Sequence, residues 1–155
     1  GGEEWAWLAE RGVEVEAVGG ITAGLAVGPA LGLPLTHRSV ARGVALVTAH
    51  TVDGSRPDWQ ALAASQLTVV CYMGMSDVEA LASELMAAGF AASLPVAVVH
   101  RAGCAEQRHI VTRLQTLAAD VARSGLASPA VIVLGEVAAL AAVVPEPAAG
   151  REVAA

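Results

Sequence analysis

Four glycines, Gly20, Gly24, Gly28 and Gly32, recur at every fourth residue, with Ala23 and Ala26 between them. On a helix this spacing makes a stripe almost bare of side chains, along which a flat ligand or another backbone can approach closely. Tight helix packing uses the same stripe, so the spacing leaves both readings open. The start of that helix, Ile21-Thr22-Ala23, offers free backbone N–H groups and a hydroxyl, donors suited to a carboxylate or a ribose. Further on, Tyr72-Met73-Gly74 closes an apolar run and turns into a loop. Strand ends of this kind are where open α/β sheets bind ligands. A thioether beside a backbone-exposing glycine suits a flat heteroaromatic base, although a Met that fills core space satisfies the same pattern.

Other residue types narrow the chemistry. His37, His50, His100 and His109 lie far apart, none with metal-ligand spacing to a partner, so no metal site is expected. His37 and His50 stand beside expected strand ends or loops, where ligands tend to bind. No Ser-His-Asp or Cys-His arrangement emerges, and neither GxGxxG nor GxxxxGK[ST] occurs. Cys71 falls inside an apolar strand and reads as a small buried hydrophobe.

The 155 residues are 55% hydrophobic and only 3% aromatic, so Ala, Val, Leu and Gly must build the core. The length suits one domain. A bilayer span needs about 20 consecutive apolar residues; the best candidate, residues 130–144, is shorter and carries Glu136. No membrane partner is expected. Nor is nucleic acid, because the formal net charge is −6 and all nine basic residues are dispersed arginines. The two isolated cysteines make no disulfide framework, no signal peptide is visible, and the expected setting is cytoplasmic. The start lacks an initiator Met, as in a processed chain or a fragment.

These residues need elements to position them. Residues 3–11 read as a helix ended by Gly12, and 13–17 alternate as a half-buried strand. Residues 20–31 read as an apolar helix stopped by Pro34. Strands are expected over 41–49, 67–73, 95–99, 108–114 and 130–134, the second of these runs following a turn-rich loop over 50–59. A helix over 76–89 places Val78, Leu81, Leu85 and Met86 on one face, with Ser76 and Glu79 at capping-box spacing. Another helix covers 116–124, ended by Gly125. The fold class is α/β, a single domain with a mixed sheet of five or six strands flanked by helices. The tail over 145–155 is expected to be disordered.

In combination, the short motifs resemble a family. GGEE (1–4), GGITAG (19–24), LPLTHR (33–38), VTAH (47–50), CYMG (71–74), AEQR (105–108) and PAVIVLGEV (129–137) occur in the order found in uroporphyrinogen-III C-methyltransferases, which are tetrapyrrole methylases. The resemblance covers about the first 140 residues and implies a C-terminal tetrapyrrole-methylase domain over 1–144. By the same resemblance the N-terminal domain is absent, because the chain opens where the family is midway through its polypeptide.

The resemblance further implies S-adenosylmethionine in a cleft between two α/β domains. Thr22 and Ala23 would touch it, Met73 would lie near its adenosyl portion, the backbone around Ala102 would line the adenine site, and Pro129, Ala130 and Val131 would close it. His37 and Arg38 would lie on the tetrapyrrole side. The implied reaction is methylation of uroporphyrinogen III to precorrin-2, for sirohaem or cobalamin, by a homodimer. The family's principal acid/base residues precede GGEE, so no catalytic residue is assigned. Gly19, Ala49 and the His100-Arg101 pair depart from the family's usual pattern, and Ala102 stands where the family often has Gly or Ala. Two alternatives stand beside this reading: a non-catalytic half-enzyme or assembly module, and a methylase acting on a later corrinoid.

Overall fold

The computed structural model describes residues 2–51 and 54–143. Five strands form one mixed sheet: β1 (Val44–Thr48), β2 (Thr68–Tyr72), β3 (Pro95–His100), β4 (Arg108–Arg113) and β5 (Ala130–Leu134). Their order is β1-β2-β5-β3-β4. β1 and β2 run parallel, while β5 runs antiparallel to both β2 and β3, and β3 and β4 form an antiparallel pair. The C-terminal ends of β2 and β3 therefore flank the N-terminal end of β5. This arrangement creates the site described below.

The β-branched runs Thr68–Tyr72, Pro95–His100 and Ala130–Leu134 are apolar at successive positions because both sheet faces are covered. Val69, Cys71, Val96, Val98, Ile132 and Leu134 pack on one side. They meet α3 (Trp59–Ser65), α4 (Val78–Ala87) and α5 (Leu117–Ser124) through Trp59, Leu81, Leu85, Leu117 and Val121. Val70, Ala97, Val99, Val131 and Val133 face the other way. Their partners are Val27 and Leu31 of α2 (Ala23–Leu31) and Val137, Ala138 and Ala141 of a 3-10 segment, Glu136–Val143. A three-layer α/β/α domain results, as the composition and patterning predict.

Several expectations change. Residues 13–17 form no strand: Val13 and Val18 are exposed and no strand lies beside them. Alternation marks a surface that can pair, but an extended segment without a neighbour has no ladder to hold it. The first helix, α1, is Gly2–Ala9 and buries none of its residues. α2 begins at Ala23, later than expected, and ends at Gly32 in the left-handed conformation, φ 60°, two residues before Pro34. Gly20 thus lies outside the helix and Gly32 is its cap, so only Gly24 and Gly28 of the four-glycine stripe lie on helix.

α4 is capped by Asp77, whose carboxylate accepts the Ala80 N–H at 3.0 Å. Ser76, the expected cap, instead donates to the Met73 carbonyl. Leu81 and Leu85 are buried as predicted, whereas Met86 turns outward. The expected loop over 50–59 includes Val52 and Asp53, which lie outside the described residues, as does the tail over 145–155.

Candidate cofactor cleft

A cleft of ≈ 440 Å³ opens where β2 and β3 end beside the start of β5. That volume is within the range of small-molecule sites. β2 contributes Tyr72, and Met73 and Met75 follow it; β3 contributes Val99, with Arg101 and Ala102 beyond; Ser128, Pro129, Ala130 and Val131 form the floor, and Ala23 of α2 the opposite lip. The lining is mostly apolar and built of small side chains, with thioethers on one side.

Met73 and Arg101 both adopt the left-handed backbone conformation, with φ 57° and 48°. A non-glycine residue held there costs about 1–3 kcal/mol, and such strain clusters at functional sites. Met73 is 63% exposed, so its side chain is not core filling. The Arg101 N–H donates to the Pro129 carbonyl at 3.2 Å, and its guanidinium lies 3.7 Å from the Glu106 carboxylate. Arg101 and Tyr72 are the only ionisable side chains among the residues lining the cleft.

Of the residues singled out from sequence, Ala23, Met73, Ala102, Pro129, Ala130 and Val131 all line this one cleft. Thr22, expected to touch the cofactor, is not among the lining residues; it immediately precedes Ala23 at the start of α2, and its hydroxyl is engaged. It lies 2.6 Å from the Tyr72 hydroxyl, which also accepts the Gly24 N–H at 3.0 Å. Gly24 itself answers the question the glycine spacing left open: a Cβ there would stand 2.3 Å from Tyr72 Oη and 2.8 Å from Val70 Cγ1. The glycine allows close packing of helix on sheet.

His37 and Arg38 are not brought to the cleft. They precede β1, at the end of the sheet opposite to that where β2 and β3 finish. Five strand residues, about 17 Å at the usual rise, intervene. His37 pairs with Ala41 in an isolated bridge and its ring stands 3.1 Å from the Ser39 hydroxyl. Arg38 lines a separate polar hollow with Ser39, Arg42 and Gln66. The expectation for these two residues was the tetrapyrrole side, and their distance from the apolar cleft leaves that expectation open. His50 follows β1 at the cleft's end of the sheet but does not line the cleft, and the His100 ring is 2.8 Å from the Ala127 carbonyl.

Sequence reading named Tyr72 only as part of the strand end that carries Met73, and missed Met75, Val99, Arg101 and Ser128 as lining residues. The alternation within β2 held a signal for Tyr72, which shares a face with Val70, the face that α2 covers. No cluster of His, Cys, Asp and Glu among the described residues could hold a metal ion, and no helix among them is long and apolar enough to cross a membrane.

The chain is 47% identical over 136 residues to uroporphyrinogen-III C-methyltransferase of Pseudomonas aeruginosa, covering 88% of this chain and 56% of that protein. It is 46% identical over 142 residues to siroheme synthase of Chromobacterium violaceum, covering 91% of this chain and 30% of the relative. Among solved structures, uroporphyrin-III C-methyl transferase from Thermus thermophilus complexed with S-adenyl homocysteine superposes with a TM-score of 0.76 at 36% identity, over 90% of this chain and 60% of that one. The chain thus spans just over half the length of the curated methyltransferase it matches. These matches fix the share covered, and the expectation that the chain is specifically the C-terminal half is not borne out. The family model of tetrapyrrole (corrin/porphyrin) methylases matches residues 1–118, and the chain belongs to that family.

Proposed function

We propose that this chain supplies one wall of the cofactor cleft of an S-adenosylmethionine-dependent methyltransferase that acts on uroporphyrinogen III. The observation that carries the reading is the convergence of Ala23, Met73, Ala102 and Pro129–Val131, drawn from four separate stretches of sequence, on one small apolar cleft. The lining fits the cofactor. A flat purine needs thin walls and apolar contact, which Ala102, Pro129, Ala130 and the Met73 thioether provide. The described residues from 2 to 143 act as one tetrapyrrole-methylase domain in this reading.

Bound S-adenosylmethionine supplies an electrophilic methyl group on its sulfonium, so the protein's task is orientation more than activation. Met73 and Pro129–Val131 would hold the adenosyl portion, and Thr22 and Ala23 would border the remainder. Arg101, the one fixed cation at the cleft, favours a carboxylate at its mouth. Each methylated pyrrole carbon must release a proton or redistribute charge. The cleft lining holds no carboxylate or imidazole for that task, which falls to groups in the part of the relatives' length that this chain does not span.

Uroporphyrinogen III as the substrate, a homodimer and a cytoplasmic setting complete the proposal. The relatives' activity supports the first. Exposed Trp5, Trp7, Val18 and Ile21 support an apolar contact between subunits. Two unpaired cysteines suit a reducing compartment.

Calorimetric titration of the 155-residue chain with S-adenosylhomocysteine tests the cleft. Binding that is lost in Ala102→Phe, which fills the cleft, is the expected result; equal binding by parent and variant would overturn the assignment. Incubated alone with S-adenosylmethionine and uroporphyrinogen III, the chain is expected to give no methylated product.

A further inference from the structure

The first N–H groups of an α-helix have no partner within the helix and are normally satisfied by the side chain of the residue before it. α2 departs from this. Thr22 occupies the capping position, in extended conformation, yet its hydroxyl makes no capping hydrogen bond. The Gly24 N–H is accepted instead by Tyr72 Oη at 3.0 Å, from the last residue of β2 and 48 positions along the chain. The same oxygen lies 2.6 Å from Thr22 Oγ1. One sheet residue therefore caps the helix and holds the hydroxyl of its nominal cap. The bare backbone at Gly24, where a Cβ would stand 2.3 Å from Tyr72 Oη, is what lets the phenol in.

We propose that Tyr72 is a positioning residue for the cleft, a latch that fixes the α2 lip relative to the β2 end. The inference rests on the cofactor reading above. Tyr72 and Met73 are consecutive, so the latch ties Ala23, on one lip of the cleft, to the strand end that carries Met73 on the other. A phenol has one O–H to give, and a threonine hydroxyl one to give and two lone pairs to receive. Either hydroxyl can donate in the Thr22–Tyr72 contact; in this proposal Tyr72 Oη, already accepting from Gly24, donates to Thr22 Oγ1, which leaves the Thr22 O–H to donate to a ligand acceptor. Thr22 thereby reaches the cofactor as a relay oriented by Tyr72, which reconciles its committed hydroxyl with its place next to Ala23.

Tyr72→Phe keeps the ring and removes the latch. Amide exchange followed by NMR should show the Gly24 N–H exchanging at least about tenfold faster in this variant, and S-adenosylhomocysteine should bind about tenfold more weakly, the ordinary scale for one or two lost hydrogen bonds. In a double-mutant cycle, Tyr72→Phe combined with Thr22→Val should lose no more affinity than the worse single variant, because both break one relay. A merely structural tyrosine would lower the melting temperature without this coupling in affinity. Unchanged Gly24 exchange would overturn the latch, and faster exchange with parental affinity would overturn its positioning role. Failure of the parent chain to take up S-adenosylhomocysteine would overturn the cofactor reading instead, leaving the latch to be decided by Gly24 exchange alone.

Discussion

Met73 and Arg101 are each the first residue past a strand that flanks β5, and both turn through the left-handed backbone region, at φ 57° and 48°. β2 and β3 pair with β5 on its two sides, with His100 opposite Ala130. Both chains therefore leave the sheet just as β5 begins, and the space they vacate above Ala130 and Val131 is the cleft. The strain has a location and a product, which makes it testable.

Met73→Gly should stabilise the fold while damaging the cleft. Glycine adopts positive φ without penalty, and an exposed Met loses little packing, so the variant should gain about 1 kcal/mol and melt a few degrees higher. Its affinity for S-adenosylhomocysteine should fall roughly tenfold through lost contact with the adenosyl group. A thermal melt beside a calorimetric titration reads both. A lower melting temperature would return Met73 to the role of core filler.

The glycines of the four-residue spacing should separate by position. Gly24→Ala forces a methyl against Tyr72 and Val70 and should cost about 1–3 kcal/mol, as overpacking does. Gly20→Ala meets nothing within 4 Å and should leave denaturant stability unchanged. Equal effects would mean that the period of four, and not the contact with the sheet, explains the residues.

The cysteines should differ in reactivity. Burial pushes the Cys71 thiol up to about 12, so it is protonated at neutral pH and shielded from reagents, whereas Cys104 is exposed. Native protein should take up one equivalent of a thiol reagent at pH 8, at Cys104, and a second only after unfolding. Modification of Cys71 in the folded state would contradict its place under α4.

Acid stability should depend on Asp120. Hydrogen bonds from Thr112 and Thr116 hold its carboxyl below the usual range, with Arg123 adding to the effect. A depressed folded-state value means that the stabilisation is present above the unfolded-state pKa, near 4, and is lost as pH falls through the folded value. Asp120→Asn should therefore flatten the fall in melting temperature as the pH drops below about 4. A parent and variant that fall in parallel would place the acid sensitivity elsewhere.

Much of this protein was legible in its linear order. Unbroken apolar runs such as Ala130–Leu134 mark strands covered on both faces, and Leu81 and Leu85 mark the inner face of a helix, because burial leaves a period in any chain that has it. The family motifs named Ala23, Met73, Ala102 and Pro129–Val131 as neighbours in function. Three things were decided only by folding. Val13 to Ala17 alternates as a strand does, but a strand exists only with a partner beside it. His37 and Arg38 precede β1, and only the chain's direction through the sheet shows that they lie at the far end from the apolar cleft. The Thr22 hydroxyl reads as free in sequence, because its partner Tyr72 is 50 residues away and becomes its neighbour only when α2 packs on β2. Local pattern carries periodicity and propensity, whereas strand partners, sheet ends and long-range hydrogen bonds depend on how the elements pack together.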